Sequence, residues 1–135
     1  MIQNLRSDKG GFTLVEIMIV VAIIGLLAAI AVPSFIRART RSQATTILNE
    51  CRMLDAALDQ YALENNKQQT SAVAFGDLTP YLKAGSSLVV NGGNDTLGNA
   101  FTIAGTIAGG IKVNATTKTT LSTATGGDAF WGPYS

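Results

Sequence analysis

The sequence predicts an α+β fold, in which a long N-terminal helix, apolar enough in its first half to cross a membrane and amphipathic in its second, packs on a small C-terminal antiparallel sheet. Three observations predict it. A continuous apolar run lies near the N-terminus, a three- and four-residue apolar period occupies the next thirty residues, and ten of the fourteen glycines fall from Gly85 onward among β-branched stretches. At 135 residues the chain allows one small domain beside that run.

The first element is the apolar run. Ile17 to Val32 are sixteen residues, all apolar or glycine, so no helical face is polar. With Phe12, Thr13, Leu14, Val15 and the single acid Glu16 the stretch from Phe12 to Val32 is 21 residues, or ~31 Å of helix, enough for a ~30 Å hydrocarbon core. Three readings compete. A secretory signal peptide would be cut at Ala29-Ile30-Ala31, an Ala-x-Ala site, but Glu16 then interrupts its apolar region and the helical pattern runs on through the cut. A permanent one-span anchor is the second. The third starts from Glu16, because a carboxylate in hydrocarbon costs about 2.5–3.5 kcal/mol and marks a functional position.

The string Lys9-Gly10-Gly11-Phe12-Thr13-Leu14-Val15-Glu16, followed by the apolar run and Pro33, resembles the processing signal of type IV pilins and type II secretion pseudopilins. The resemblance implies a leader, residues 1–11, removed by a membrane-embedded prepilin peptidase that cuts between Gly11 and Phe12 and methylates the new Phe12 amine. It makes Glu16 the fifth mature residue and Gly25 and Pro33 the helix-loosening positions. It further implies a membrane and filament-core helix over 12–36, a pilin-like globular domain over 37–135, and a homo-oligomeric filament built with an inner-membrane assembly platform and minor pseudopilins. The N-terminus would lie in the cytoplasm and the C-terminal domain in the periplasm of a bacterium, with the assembled filament in the periplasm or at the cell surface. Glu16 and the Phe12 amine are four residues apart on one helix face, so they can pair within one subunit; the resemblance favours pairing with a neighbour's amine. One count opposes this topology: Arg37, Arg39 and Arg41 crowd the far side of the span against Arg6 and Lys9 on the leader side, which by charge bias alone puts the N-terminus outside.

Beyond Pro33, Ala44, Ile47, Leu48, Cys51, Leu54, Leu58, Tyr61 and Ala62 recur at helical steps with Arg41, Asn49, Arg52, Asp59 and Asn66 between them. Glycine is absent from Leu26 to Gln69, so only Pro33 interrupts a helix from about Phe12 to Asn66. The amphipathic part is 37–66. Cys51 sits on its apolar face and reads as an inert packed thiol.

A connecting loop over 67–86 follows, with Phe75 to Lys83 as a turn or short helix anchored by Leu78, Tyr81 and Leu82. The region 87–135 reads as a meander and C-terminal loop. Strands are expected at Ser87–Val90, Ala100–Thr106 and Gly110–Asn114, with turns at Asn91-Gly92-Gly93-Asn94 and Ala108-Gly109-Gly110. Ala115–Thr125 fits a helix or an irregular loop equally well, and the rings of Phe130, Trp131 and Tyr134 are expected to pack on the sheet or helix. Asp59-Gln60-Tyr61, Asp77 to Leu82 and Asn94 to Phe101 resemble the corresponding parts of the major pseudopilin of type II secretion.

Composition bounds the function. A net charge of +1 supplies no field for nucleic acid. No histidine and one cysteine remove His-dependent triads, multi-Cys zinc sites and an internal disulfide, and no nucleophile with a base is found, so no enzyme is expected. Major pseudopilins hold their C-terminal region with calcium, for which the weak candidates here are Asp95 and Asp128; a calcium site needs ~6–8 oxygens, and the plainer reading makes Asp95 a turn residue and Asp128 a surface acid. No cofactor is otherwise expected. The leading function is a structural subunit of a type II secretion pseudopilus supporting protein secretion. A major or minor type IV pilin serving adhesion, motility or DNA uptake is the alternative, and a secreted binding domain released by signal peptidase the second. Loss of residues 1–11 leaves eight basic and eight acidic side chains, a neutral balance that suits stacking against copies of itself.

Overall fold

The structure, a computed structural model, describes residues 10–135. The expected leader, apart from Gly10 and Gly11, lies outside the described residues. The chain divides after Ile36 into two units, the second running from Arg37 to Ser135.

Helix α1 spans Leu14–Glu64 without a break, through both Gly25 and Pro33. Its residues up to Ile36 are exposed all round, and the helix is long and apolar enough to cross a membrane. From Ala44 the face narrows to a stripe: Ala44, Ile47, Cys51, Leu54, Ala57 and Leu58 are buried at three- and four-residue steps. α1 stops two residues before the expected Asn66. Asn66 takes a left-handed φ of 47°, and the Lys67 amide donates to the Ala62 carbonyl at 3.0 Å, a helix stop in which asparagine fills the place usually held by glycine.

The connecting segment holds one helical turn, α2 (Phe75–Leu78), continued by a 3₁₀ turn over Thr79–Tyr81. Leu78 is buried and Tyr81 half-buried, its ring set edge-on to Tyr61 at 6.1 Å.

The expected three-stranded meander is not formed. Ser87–Val90 is a helical turn, α3, not a strand. Its stop explains the error: the Gly93 amide donates to the Leu88 carbonyl at 2.8 Å and the Gly92 amide to Val89 at 3.2 Å, so the Gly92-Gly93 pair that reads as a hairpin turn is a Schellman helix terminus. Gly93 is also irreplaceable for space, since a Cβ there would lie 2.8 Å from the Phe75 ring. Of Ala100–Thr106 only Thr102–Ile103 (β1) forms a ladder strand, and of Gly110–Asn114 only Ile111–Lys112 (β2). They pair antiparallel, Thr102 with Lys112 and Ile103 with Ile111. Gly105, at φ 78°, turns the chain away, and the following amides of Ile107 and Ala108 bond to the Ser71 and Gln69 carbonyls instead. On the other strand the Val113 amide goes to the Tyr134 carbonyl at 2.9 Å. The sheet is therefore two strands, bordered by loops that use up its outer hydrogen bonds.

Ala115–Thr125 is a helix, α4. Asn114 caps it, its side chain accepting from the Thr116 amide at 2.8 Å, and Gly126 ends it at φ 76°. Its threonines tolerate the helix because Thr119, Thr120 and Thr125 donate to carbonyls four residues back. The C-terminal rings close the core: Trp131 is 1% exposed, Phe130 meets it edge-on at 5.1 Å, and the Tyr134 hydroxyl reaches Asp55 on α1 at 3.4 Å.

Candidate functional site

The residues expected to be processed and to direct assembly lie at the start of α1. Gly10, Gly11 and Phe12 precede the helix, and Phe12 is 85% exposed. Thr13 is the residue before the first helical position, and the pair Thr13 and Glu16 closes on itself. The Glu16 carboxylate accepts from the Thr13 amide at 2.7 Å and from the Thr13 hydroxyl at 2.8 Å, and the Thr13 hydroxyl oxygen accepts from the Glu16 amide at 3.2 Å. This is a capping box. Threonine followed three residues later by glutamate, ahead of an apolar run, is its sequence signature, which sequence reasoning passed over while looking for a partner in the Phe12 amine. Both Thr13 bonds fall on Oε2, so Oε1 faces no donor among the described residues and stays open to a cation. Gly25 and Pro33 lie within α1, which continues through both; proline there has no amide hydrogen to donate to the carbonyl four residues back.

The two calcium candidates do not fit a cation. Asp95 is 2% exposed, and all its oxygens face donors: Oδ1 accepts from the Leu97 and Asn99 amides, both at 2.9 Å, and Oδ2 from the Thr117 hydroxyl. It is a turn residue that ties the loop over 94–100 to α4, with the Asn99 amide side chain donating to Thr117 at 3.0 Å. Asp128 is exposed, lies 3.8 Å from the Lys118 ammonium, and lines a shallow hollow with Ala115, Lys118, Thr119, Ser122 and Gly127 to which Asp95 does not contribute. Among the described residues no group of three or more His, Cys, Asp or Glu side chains could hold a metal. Adding calcium to the isolated region 37–135 should leave its melting temperature unchanged, which differential scanning calorimetry would check; a rise would restore the site.

Sequence reasoning missed Glu50. It lies three residues after Ile47 and four before Leu54, on the buried stripe, and is 1% exposed. Oε1 accepts from the Ser87 hydroxyl at 2.8 Å, whereas Oε2 and the neighbouring Ser86 hydroxyl are buried with no partner. Burial pushes the Glu50 carboxyl above the ordinary carboxylate value; the Ser87 bond pulls part of the way back and the charge of Asp95 adds to the rise. The folded state thus holds the Glu50 proton more tightly than the unfolded chain, and stability is lost as pH climbs from the unfolded value through the raised one. Glu50→Gln keeps an acceptor for Ser87 and removes the charge, so the variant should melt above the wild type at neutral pH, with the gap closing towards pH 5. Melting curves of the two proteins across that range would show it; a constant gap would remove Glu50 as the cause. The same interior pushes the Cys51 thiol up to about 12, chiefly by burial, which leaves it an inert packed side chain.

Residues 6–32 match the prokaryotic N-terminal methylation motif. The chain is 34% identical over 109 residues to the type IV major fimbrial protein FimA of Dichelobacter nodosus, a match covering 81% of this chain and 64% of that one. It is 42% identical over 60 residues to the type II secretion system core protein G of Pseudomonas aeruginosa, covering 44% of this chain and 42% of that one. With the core protein G of Klebsiella michiganensis the identity is 35% over 66 residues, 49% of this chain and 46% of that one. The chain thus spans between about two fifths and just under two thirds of the length of these relatives. No solved structure matches it. An N-terminal methylation motif opening a long apolar helix, and an α+β, pilin-like fold behind it, agree with these likenesses: the chain is similar to type II secretion core proteins G and to type IV fimbrial proteins.

Proposed function

We propose that the protein is a structural subunit, cut by prepilin peptidase between Gly11 and Phe12, methylated at Phe12 and polymerised into a type II secretion pseudopilus that supports protein secretion. The observation that carries this reading is the methylation motif over residues 6–32, which opens a helix whose apolar segment has one acid, Glu16, presented at its first turn with an oxygen open. Residues 1–11 are the leader, 12–36 the segment that sits in lipid before assembly and in the filament core afterwards, and 37–135 the head. Glu16 takes the Phe12 amine of a neighbouring subunit, Gly25 and Pro33 let the helix yield as subunits pack, the leader faces the cytoplasm and the head the periplasm. The working partners are copies of the chain, prepilin peptidase, the inner-membrane platform, minor pseudopilins and the bilayer. Nucleic acid has no role, and the protein performs no catalysis.

A type IV pilus is the second reading, favoured by one observation: the likeness to a major fimbrial protein extends over 81% of this chain. Deleting the gene separates them, loss of an exported enzyme activity with surface pili intact supporting the pseudopilus and the reverse supporting the pilus. Intact mass of the membrane-extracted protein tests the processing that both share. Loss of Met1–Gly11 with gain of one methyl is expected, and loss through Ala31 would assign a secreted domain released by signal peptidase.

A further inference from the structure

One group of charges on α1 has no role in the reading above. Arg37, Arg39 and Arg41 follow the apolar segment directly and are all exposed. The only ion pair among the described residues is between Lys118 and Asp128, so none of the three faces a carboxylate. The sequence explains this, because no acid occurs between Glu16 and Glu50. Arg37 and Arg41 are four residues apart on one helix face while Arg39 lies on the opposite side, so together they ring the helix. Their place runs against the bias that keeps arginine off the translocated end of a span, a cost that calls for a compensating contact.

We propose that this arginine ring binds the phosphate groups of anionic phospholipids at the membrane face where the apolar segment ends. The proposal rests on the reading of 12–36 as membrane-spanning. The helical part of that segment, residues 14–36, makes ~34 Å of helix, longer than a ~30 Å hydrocarbon core, so the turns that follow fall among headgroups. Guanidinium groups present forked donors that match phosphate oxygens, and their aliphatic stems can lie along apolar surface while the charge reaches out. A second copy of the chain also offers carboxylates, at the exposed Asp59 and Glu64. Position favours lipid: the arginines abut a segment dissolved in lipid before assembly begins, so every subunit meets headgroups there before it meets a neighbour.

The test uses the full chain reconstituted in phosphatidylcholine vesicles containing a minority of phosphatidylglycerol, with trace spin-labelled lipids of each kind read by electron paramagnetic resonance. The wild type should hold phosphatidylglycerol in preference to phosphatidylcholine, weakening on the order of fivefold per arginine removed. The triple variant Arg37→Gln, Arg39→Gln, Arg41→Gln should lose the preference. Arg52→Gln, Lys67→Gln, Lys83→Gln, which removes the same charge elsewhere on the head, should keep it. High salt should erase it. Equal lipid preference in wild type and the ring variant overturns the proposal, as does a ring variant that keeps its lipid but loses self-association, which would give the arginines to a neighbouring subunit. Inorganic phosphate that displaces the lipid better than chloride at equal ionic strength would make the ring a free-phosphate site and overturn it too. Extraction by alkaline carbonate would bring down the membrane-spanning reading itself, and so is distinct from a stably inserted protein with no lipid preference.

Discussion

Glu16→Ala is expected to abolish filament formation while the precursor still inserts, loses its leader and accumulates in the membrane. The acid is dispensable for insertion because its removal makes the span more apolar, by about 2.5–3.5 kcal/mol on insertion scales. It is dispensable for cleavage if the peptidase reads the glycine and the residues before it. Assembly is different, since the proposed cut after Gly11 would create an amine at Phe12 with a reference pKa near ~8, a cation that needs an anion once it leaves water. The capping box separates two roles for the same side chain. Glu16 holds the Thr13 amide and hydroxyl through Oε2, which is helix capping worth about 1 kcal/mol, and glutamine can occupy the same box position. Glu16→Gln therefore keeps the cap and loses the charge. If charge drives assembly, Gln should fail as Ala does; if Gln restores filaments to wild-type yield, capping was the whole function and the pairing model fails. Immunoblots of sheared filaments and of membrane fractions read both steps from one culture. Thr13→Val, which keeps the acid and removes the hydroxyl, should reduce yield without abolishing it.

The long helix was legible because its signals are local and redundant. Ile17 to Val32 has no polar face, and Ala44 to Leu58 keeps a helical period, so tertiary context had nothing to decide. The same period exposes what was misread. Glu50 occupies a core position of that stripe: its spacing from Ile47 and Leu54 places it inside, but as an acid it was left out of the apolar period. The head was less legible because glycine is ambiguous: Asn91-Gly92-Gly93-Asn94 fits a hairpin turn and a helix terminus equally well by composition. Which one forms depends on Leu88 being buried and on the Phe75 ring filling the space beside Gly93, both of them non-local facts. Strand lengths failed for a related reason. The amides of Ile107 and Val113 find carbonyls at Ser71 and Tyr134, far off in sequence, and no local pattern announces such partners. At the site, the residues of the motif were read from their resemblance to a known processing signal, whereas the Thr13 to Glu16 box was readable from spacing alone and was overlooked.

Asp95→Ala carries the largest expected loss of stability in the head. The carboxylate is buried and receives three donors, the Leu97 and Asn99 amides and the Thr117 hydroxyl. Alanine leaves all three facing an apolar methyl, and a buried donor without an acceptor costs about 1–3 kcal/mol. Water entering the loop recovers part of this, so a loss of about 3–5 kcal/mol is expected, against a total stability of roughly 5–15 kcal/mol for a domain. At about 4–8 °C per kcal/mol for a domain of this size, the melting temperature of region 37–135 should drop by some 15–30 °C. Asp95→Asn retains Oδ1 for both amides and turns an amide group toward Thr117, whose oxygen can accept, so it should lose only about 1 kcal/mol. An Asp95→Ala head that melts within a few degrees of the wild type would show that the loop over 94–100 is held by other contacts. The two variants also part the head from the span in function. Asp95→Ala should lower the amount of protein through unfolding and degradation, with whatever survives still competent to assemble. Glu16→Ala should leave the amount unchanged and remove the competence, because on the proposed reading the capped acid acts on a neighbour, whereas the buried Asp95 is bonded only within its own chain.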